Sequence, residues 1–289
     1  MLSQILLDGL AKSCIYAAVA VGFSLVYNTT RIFHICYSVL YVFAGYMLFT
    51  FCNMIGSGLL LCFVLAILAT AILSVLIELA VYRPLSRRGS SSAVILVSSI
   101  GAMVVVTNVL VILYGSDTKV VSRELSSAML FGGLQLTMNQ IAQIVISLLT
   151  IALVFCFLKF TRFGLQARAL RDDPTLCSVF GIDAYKLRTI LFAMSGALAA
   201  VSSGSVTYDL GIGPFDGMKM LLNAVVALII GGMGRFESPV IGAFVIGTIQ
   251  SFVIWRFSTR WEDAVTFVLL IAFLMVRPKG ILGEKPREV

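Results

Sequence analysis

The chain has 289 residues, 60% of them hydrophobic and only 12% charged, with a mean hydropathy of +1.03. No soluble domain of this size needs so many apolar residues, so the composition excludes a water-soluble protein and points to a polytopic membrane protein. The net charge of +7 would suit nucleic acid or a membrane surface, and the placement of the charges decides between them.

Apolar runs of spanning or near-spanning length fall at about 6–27, 33–55, 59–82, 93–114, 138–158, 189–208, 219–234, 239–257 and 263–277. The last three are short or broken by glycine, which leaves about eight to nine transmembrane or re-entrant segments. The expected fold class is all-α, a polytopic helical membrane bundle. A single transmembrane domain over 1–289 is expected, because no polar stretch is long enough to fold alone.

The first residues, MLSQILLD, lack a basic n-region and carry Asp8, so no cleavable signal is expected. Asp8 and Lys12 are spaced as a helical i,i+4 pair. Six cysteines (14, 36, 52, 62, 156 and 177) lie mostly inside apolar runs and read as small packing residues, not disulfides or metal ligands. Glu78 sits about one turn before Tyr82-Arg83-Pro84 and is expected to snorkel or pair with Arg83. Ser98-Ser99 followed by Gly101, and Ser202-Ser203-Gly204-Ser205, suit close helix approach or a polar wall. Asn108 and Asn223 lie deeper, and each suits an interhelical hydrogen bond.

The longest polar interruption is the segment 159–188, with Lys159, Arg162, Arg168, Arg171, Lys186 and Arg188 against Asp172, Asp173 and Asp183. Phe163 to Asp172 reads as a short helix. Pro174 to Phe180 reads as a second turn, opened by proline and closed by Gly181. Further on, Gly231, Gly232 and Gly234 precede Arg235, Glu237 and Pro239, so a helix break is forced there. A sharp turn at the inner end of span 7 is expected, packed against another helix or a partner chain.

Basic loops stay in the cytoplasm. With 159–188 inside, nine crossings put the N-terminus outside and the C-terminus inside. Inside segments then hold 15 of the 21 Lys and Arg against 7 acids, and outside segments hold 6 against 7. This bias accounts for the whole net charge, and nucleic acid is not needed. The pattern of spans 1–4 recurs weakly in spans 6–9, and the odd central span would make such a repeat inverted, as in many transporters.

No catalytic set survives inspection. His34 is the only histidine, and neither a Walker-type nor a dinucleotide-binding glycine motif is present. Intramembrane polar residues are the functional candidates instead. Those considered for a translocation path are His34, Tyr37, Ser38, Ser99, Asn108 and Asn223.

Several stretches together resemble one family, the integral-membrane permease of ABC importers for branched-chain amino acids. They are Gly9 through Tyr27, Leu40 through Tyr46, Arg83-Pro84-Leu85, Ser99-Ile100-Gly101 and Tyr114-Gly115-Ser116. The loop pattern is Gly164, Arg168, Ala169, Pro174, Gly181 and Ile182. Gly231-Gly232-x-Gly234 with Gly242-Ala243, and Arg277-Pro278-x-Gly280-x-x-Gly283, complete it. The resemblance covers nearly the entire chain in order.

It implies that 163–182 is a coupling segment docking in a groove of a cytoplasmic ATPase, with Arg171 beside the motif residues. It also implies a homologous second permease subunit, two ATPase subunits that bind the ATP, and a periplasmic solute-binding protein, in a bacterial inner membrane. No cofactor or metal is implied for this chain. One departure stands out. Where the family usually has Asn-Phe-Ala-His-Gly-Glu, this chain has His34-Ile35-Cys36-Tyr37-Ser38-Val39, which removes an acid and moves the polar groups. Branched-chain or other hydrophobic amino acids are the expected solutes, with urea or short amides as the alternative. A stand-alone secondary transporter is the competing reading, and it would need ion-binding acids at the midplane.

Overall fold

The computed structural model describes residues 2–55, 58–121, 128–131, 134–173, 177, 179–277 and 280–283. Helix α1 spans Leu2–Thr30, α2 Tyr37–Ile55 and α3 Leu59–Ile77, which runs through a π-helical turn, Glu78–Tyr82, into the short α4, Arg83–Arg87. Then come α5 Ser92–Tyr114, a hairpin of β1 Ala128–Phe131 and β2 Leu134–Thr137, α6 Met138–Phe160 and α7 Arg162–Asp172. The remaining helices are α8 Ala184–Asp209, α9 Asp216–Gly231, α10 Ser238–Arg256 and α11 Glu262–Val276.

The all-α reading holds, with one antiparallel hairpin added in the register Ala128↔Thr137 to Phe131↔Leu134. Each of the nine apolar runs becomes a helix. Among the described residues seven helices are long and apolar enough to span a membrane, counting α3 with its π turn and α4 as one. The two short ones are α9 and α11, at 16 and 15 residues. At 1.5 Å per residue α9 reaches about 24 Å, short of a ~30 Å hydrocarbon layer. The 239–257 run, expected to be short, gives a full-length α10.

The core is inverted relative to a soluble protein. The most apolar span, α3, is mostly exposed, as are α5 and α6, whereas the less apolar α1 is almost entirely buried. Lipid rewards apolar surface outside, and small or weakly polar residues let helices approach inside. Thus α1 buries Ala17, Ala18, Ala20 and Ser24 completely and packs along α10 and α8. Gly247 of α10 lies against Ser13 of α1, and Gly196 of α8 against Ser74 and the Thr70 carbonyl of α3. Gly204 faces the Phe63 ring, so the Ser202–Ser205 run is in part a close-approach surface.

Local signals set the boundaries. Thr137 and Gln140 form a capping box that starts α6, with backbone-to-side-chain bonds of 3.2 and 3.3 Å. Pro239 sits in the first turn of α10. All six cysteines are free, and Cys14, Cys36, Cys62 and Cys177 are buried as packing residues. Lys12 still attracts Asp8, as expected, but its close ion pair is with Glu262 at the start of α11, at 2.9 Å, joined by the Tyr16 hydroxyl at 3.4 Å.

Candidate functional site

The segment between α6 and α8 folds back onto its own chain. Thr161 opens α7, its hydroxyl accepting the Gly164 amide at 3.1 Å and donating to the Phe157 carbonyl at 2.6 Å. Gly164 is pressed on the Leu158 carbonyl so closely that any Cβ would collide with it. Ala167 and Leu170 are buried with Leu158, Cys177, Leu187 and Phe236. Cys177 and Val179 are helical, and Gly181 stands at φ +72° after them. The Ile182 amide donates back to the Cys177 carbonyl at 3.0 Å, the six-to-one bond of a glycine-terminated helix. Pro174 lies outside the described residues.

Asp183 then starts α8, its carboxylate accepting the Tyr185 and Lys186 amides at 3.1 and 3.2 Å. The bond from the Lys186 amide, with that from Tyr185, holds this exposed carboxyl below its usual range.

Spaced three apart, Arg168 and Arg171 would be expected to face a partner together, but each is engaged within the chain. Arg168 donates to the Leu158 carbonyl at 3.0 Å, which satisfies an orphan group at the end of α6. Arg171 lies 5.5 Å over the Phe236 ring and bonds Asp172 at 2.8 Å. Ala169 is half-buried and packs on the same internal cluster. The outward face carries three large apolar residues, Leu165, Val179 and Phe180, at 63%, 78% and 78% exposure, among exposed Arg162, Gln166 and Asp172.

The glycine break is a second built feature. The helix α9 ends at Gly231, and Gly232 and Gly234 adopt φ of +114° and +111°, open only to glycine at low cost. The break packs against another helix, as expected, with Gly231 pressed on the Ser238 carbonyl at the start of α10, and residues 280–283 of this chain add a second contact. The Ile281 and Leu282 amides donate to the Ile230 and Gly231 carbonyls, each at 2.8 Å. Those carbonyls are orphans of the α9 terminus, which explains why the chain returns here. Asn28 clamps the loop from α1, donating to the Arg235 carbonyl at 3.1 Å and accepting the Gly234 amide at 3.1 Å. Ser238 donates to the carbonyls of Gly232 and Arg235.

The polar residues considered for a path fall into separate groups. His34 is fully buried, its Nδ1 2.6 Å from the Tyr82 hydroxyl, which lies 2.6 Å from the Ser99 hydroxyl. Ser99 also accepts the Cys36 amide at 3.0 Å, so this chain of bonds ties the entry to α2 against α5 and the π turn. Tyr37 is spent on structure, donating to the Val19 carbonyl at 3.0 Å with its ring beside Phe23. Asn223 accepts from Gln250 at 3.1 Å, and Gln250 also donates to Thr266 at 2.6 Å, an interhelical knot as expected. Among the described residues Asn108 shows no such bond: its amide turns back to the Val104 carbonyl of its own helix at 2.8 Å. Ser38 and Asn108, with Thr107, line one cavity of about 330 Å³ between α2, α5 and the start of α9.

Glu78 is fully buried, and its close ion pair is not with Arg83, whose charge acts on it from further off. Its partner is Arg188 of α8, with Nε 2.9 Å from Oε1 and Nη2 3.3 Å from Oε2. Arg83 and Arg87 are instead drawn to the Tyr185 ring at 5.4 and 5.1 Å. Sequence reasoning missed this pair, and also Asn28 and Tyr82. A buried pair 110 residues apart leaves no periodic trace. Asn28 at the end of a long apolar run was the one legible hint.

The fold is thus that of a multi-span helical membrane protein whose polar residues are organised between helices and at their ends. Among the described residues no group of three His, Cys, Asp or Glu is placed to hold a metal. The family described as "Branched-chain amino acid transport system / permease component" matches residues 5–274, and the chain belongs to that family. It is a multi-pass protein of the bacterial inner membrane. The high-affinity branched-chain amino acid transport system permease protein BraD of Pseudomonas aeruginosa is 28% identical over 299 residues, covering 99% of this chain and 97% of that protein. LivH of Escherichia coli K12, named for the same role, is 29% identical over 306 residues, covering 99% and 96%. A solved chain of PsaBC from Streptococcus pneumoniae in complex with Fab superposes with a TM-score of 0.54 at 12% identity, covering 94% of this chain and 91% of that one. That likeness speaks to the fold alone.

Proposed function

We propose that the chain is the membrane-spanning permease subunit of an ATP-driven importer. It works with a homologous second permease, two cytoplasmic ATPases that bind and hydrolyse the ATP, and a periplasmic solute-binding protein. The chain itself catalyses no reaction. Its solute is a branched-chain or other hydrophobic amino acid, with urea or a short amide as the competing class.

The observation that carries this reading is the segment 163–182. It is braced on its own chain by Gly164, Arg168, Ala169, Arg171 and the Gly181–Ile182 turn, yet it leaves Leu165, Val179 and Phe180 uncovered. A braced base that leaves large apolar side chains uncovered among charged ones suits docking in a groove of an ATPase, since a floppy loop would absorb the motion it must pass on. An ion-driven transporter gains nothing from the buried acid, because Glu78 is neutralised by Arg188.

The test is co-purification of the subunits in mild detergent, followed by uptake of leucine and of urea into vesicles holding the whole assembly. Copurifying ATPases and ATP-dependent uptake support the proposal. A solitary chain that moves solute down an ion gradient would overturn it.

A further inference from the structure

Resting on the importer reading, we propose that the Glu78–Arg188 ion pair is a latch. It passes movement of segment 163–182 to the wall carrying His34, Tyr82 and Ser99. Helix α8 starts at Ala184, directly after that segment, and Asp183 caps it firmly. Any displacement of the segment therefore reaches Arg188, just over one turn into the helix, with little slack.

Arg188 holds the opposite element by more than one contact. Besides its two contacts with Glu78, its Nη1 donates to Ser86 of α4 at 3.1 Å. Its guanidinium sits 5.7 Å over Phe192. Arg83 and Arg87 clasp Tyr185 from the same element, so α8 and the end of α3 are joined at two levels. Of the two contacts with Glu78, the one from Nη2 is a hydrogen bond and the one from Nε is a close ion-pair contact, so the guanidinium holds the carboxylate at two points.

The element it grips is built to shift. Glu78–Tyr82 is a π-helical turn, one residue wider than the α-helix on either side. Such turns recur at functional sites, and the extra residue lets a helix change register locally. Glu78 opens the turn and Tyr82 closes it. A pull on Glu78 thus turns the ring whose hydroxyl holds His34 and Ser99. Through Ser99 it also reaches the Cys36 amide at the entry to α2, the helix that lines the cavity with Ser38. A buried ion pair is a poor source of stability compared with apolar packing, which favours a directional role for this one.

The test uses the full permease with its partner subunits in vesicles, with Cys52 and Cys156 replaced by Ala and Ser38→Cys as a reporter of thiol labelling. The readouts are ATPase retention and the change in labelling rate on adding ATP. With the pair intact, ATP is expected to change the rate about fivefold or more, and in Glu78→Gln/Arg188→Gln less than about twofold, with the ATPases retained. Arg188→Lys keeps both charges but loses the spread of contacts to Glu78 and Ser86. It is expected to blunt the response in the same way, and it reports even where the neutral pair fails to fold. A full response in either variant overturns the latch, as does an intact complex in which ATP changes nothing. Absence of ATPases from the unmodified complex overturns the importer reading and the latch with it.

Discussion

The Cβ that Gly280 lacks would fall on the backbone of Gly232, so these two residues meet only because neither carries a side chain. Both also need positive φ, +74° and +114°. Gly232→Leu is therefore expected to expel residues 280–283, disrupting assembly or transport through collision with the Gly283 amide, 2.5 Å from the added Cβ. Gly280→Ala should cost about 1–3 kcal/mol from backbone strain alone. Thermal unfolding of the purified chain in detergent checks this, and unchanged melting in Gly280→Ala would refute the contact.

Asn28→Ala removes a donor to Arg235 and an acceptor for Gly234 at one stroke. The loss expected is about 1–3 kcal/mol, from two bonds of roughly 0.5–1.5 kcal/mol each. Asn28→Asp keeps the acceptor and loses the donor, so it should fall between. Equal stability of all three proteins would show that the loop is held by Ser238 and the 280–283 segment alone.

The outer and inner faces of segment 163–182 predict different failures. Phe180→Glu and Leu165→Glu place charge on exposed apolar positions, and ATPase capture should fall while the permease keeps its melting temperature. Arg168→Ala instead leaves the Leu158 carbonyl without its donor and should destabilise the permease by about 1–3 kcal/mol. Ala169→Glu joins the second group, since that residue packs inward. Pull-downs and melting curves on the same samples separate the groups. Loss of capture in Arg168→Ala at unchanged stability would return the arginine to the docking surface.

Orientation follows from charge. Ser90→Cys, beside Arg87 and Arg88, should label only from the cytoplasm. Asp117→Cys, exposed beyond α5, should label only from the periplasm. Labelling of both from one side would show that α5 does not cross, and exchanged sides would reverse the orientation.

The spans, the short helix after Phe160, the turn at Gly181 and the break at Gly232 were all legible in the sequence, because each is decided within a few residues. Apolar length makes the span, and a residue that must take positive φ ends the helix. What was hidden depends on neighbours far along the chain. Glu78 looks ready for Arg83 five residues on, yet the π turn aims it at α8. Arg168 and Arg171 share a spacing that suits an outer face, but only the fold places the Leu158 carbonyl and Phe236 within their reach. Gly231 to Gly234 announced a break without naming what fills it.

The return of residues 280–283 to the end of α9 has a consequence for biogenesis. The carbonyls of Ile230 and Gly231 wait for amides supplied much later in synthesis. Until Ile281 and Leu282 emerge from the ribosome, a finished-looking bundle would carry an uncapped terminus beside Asn28. A chain stopped short of them is thus left with two orphan carbonyls at the end of α9, and the bundle closes only when those residues are made.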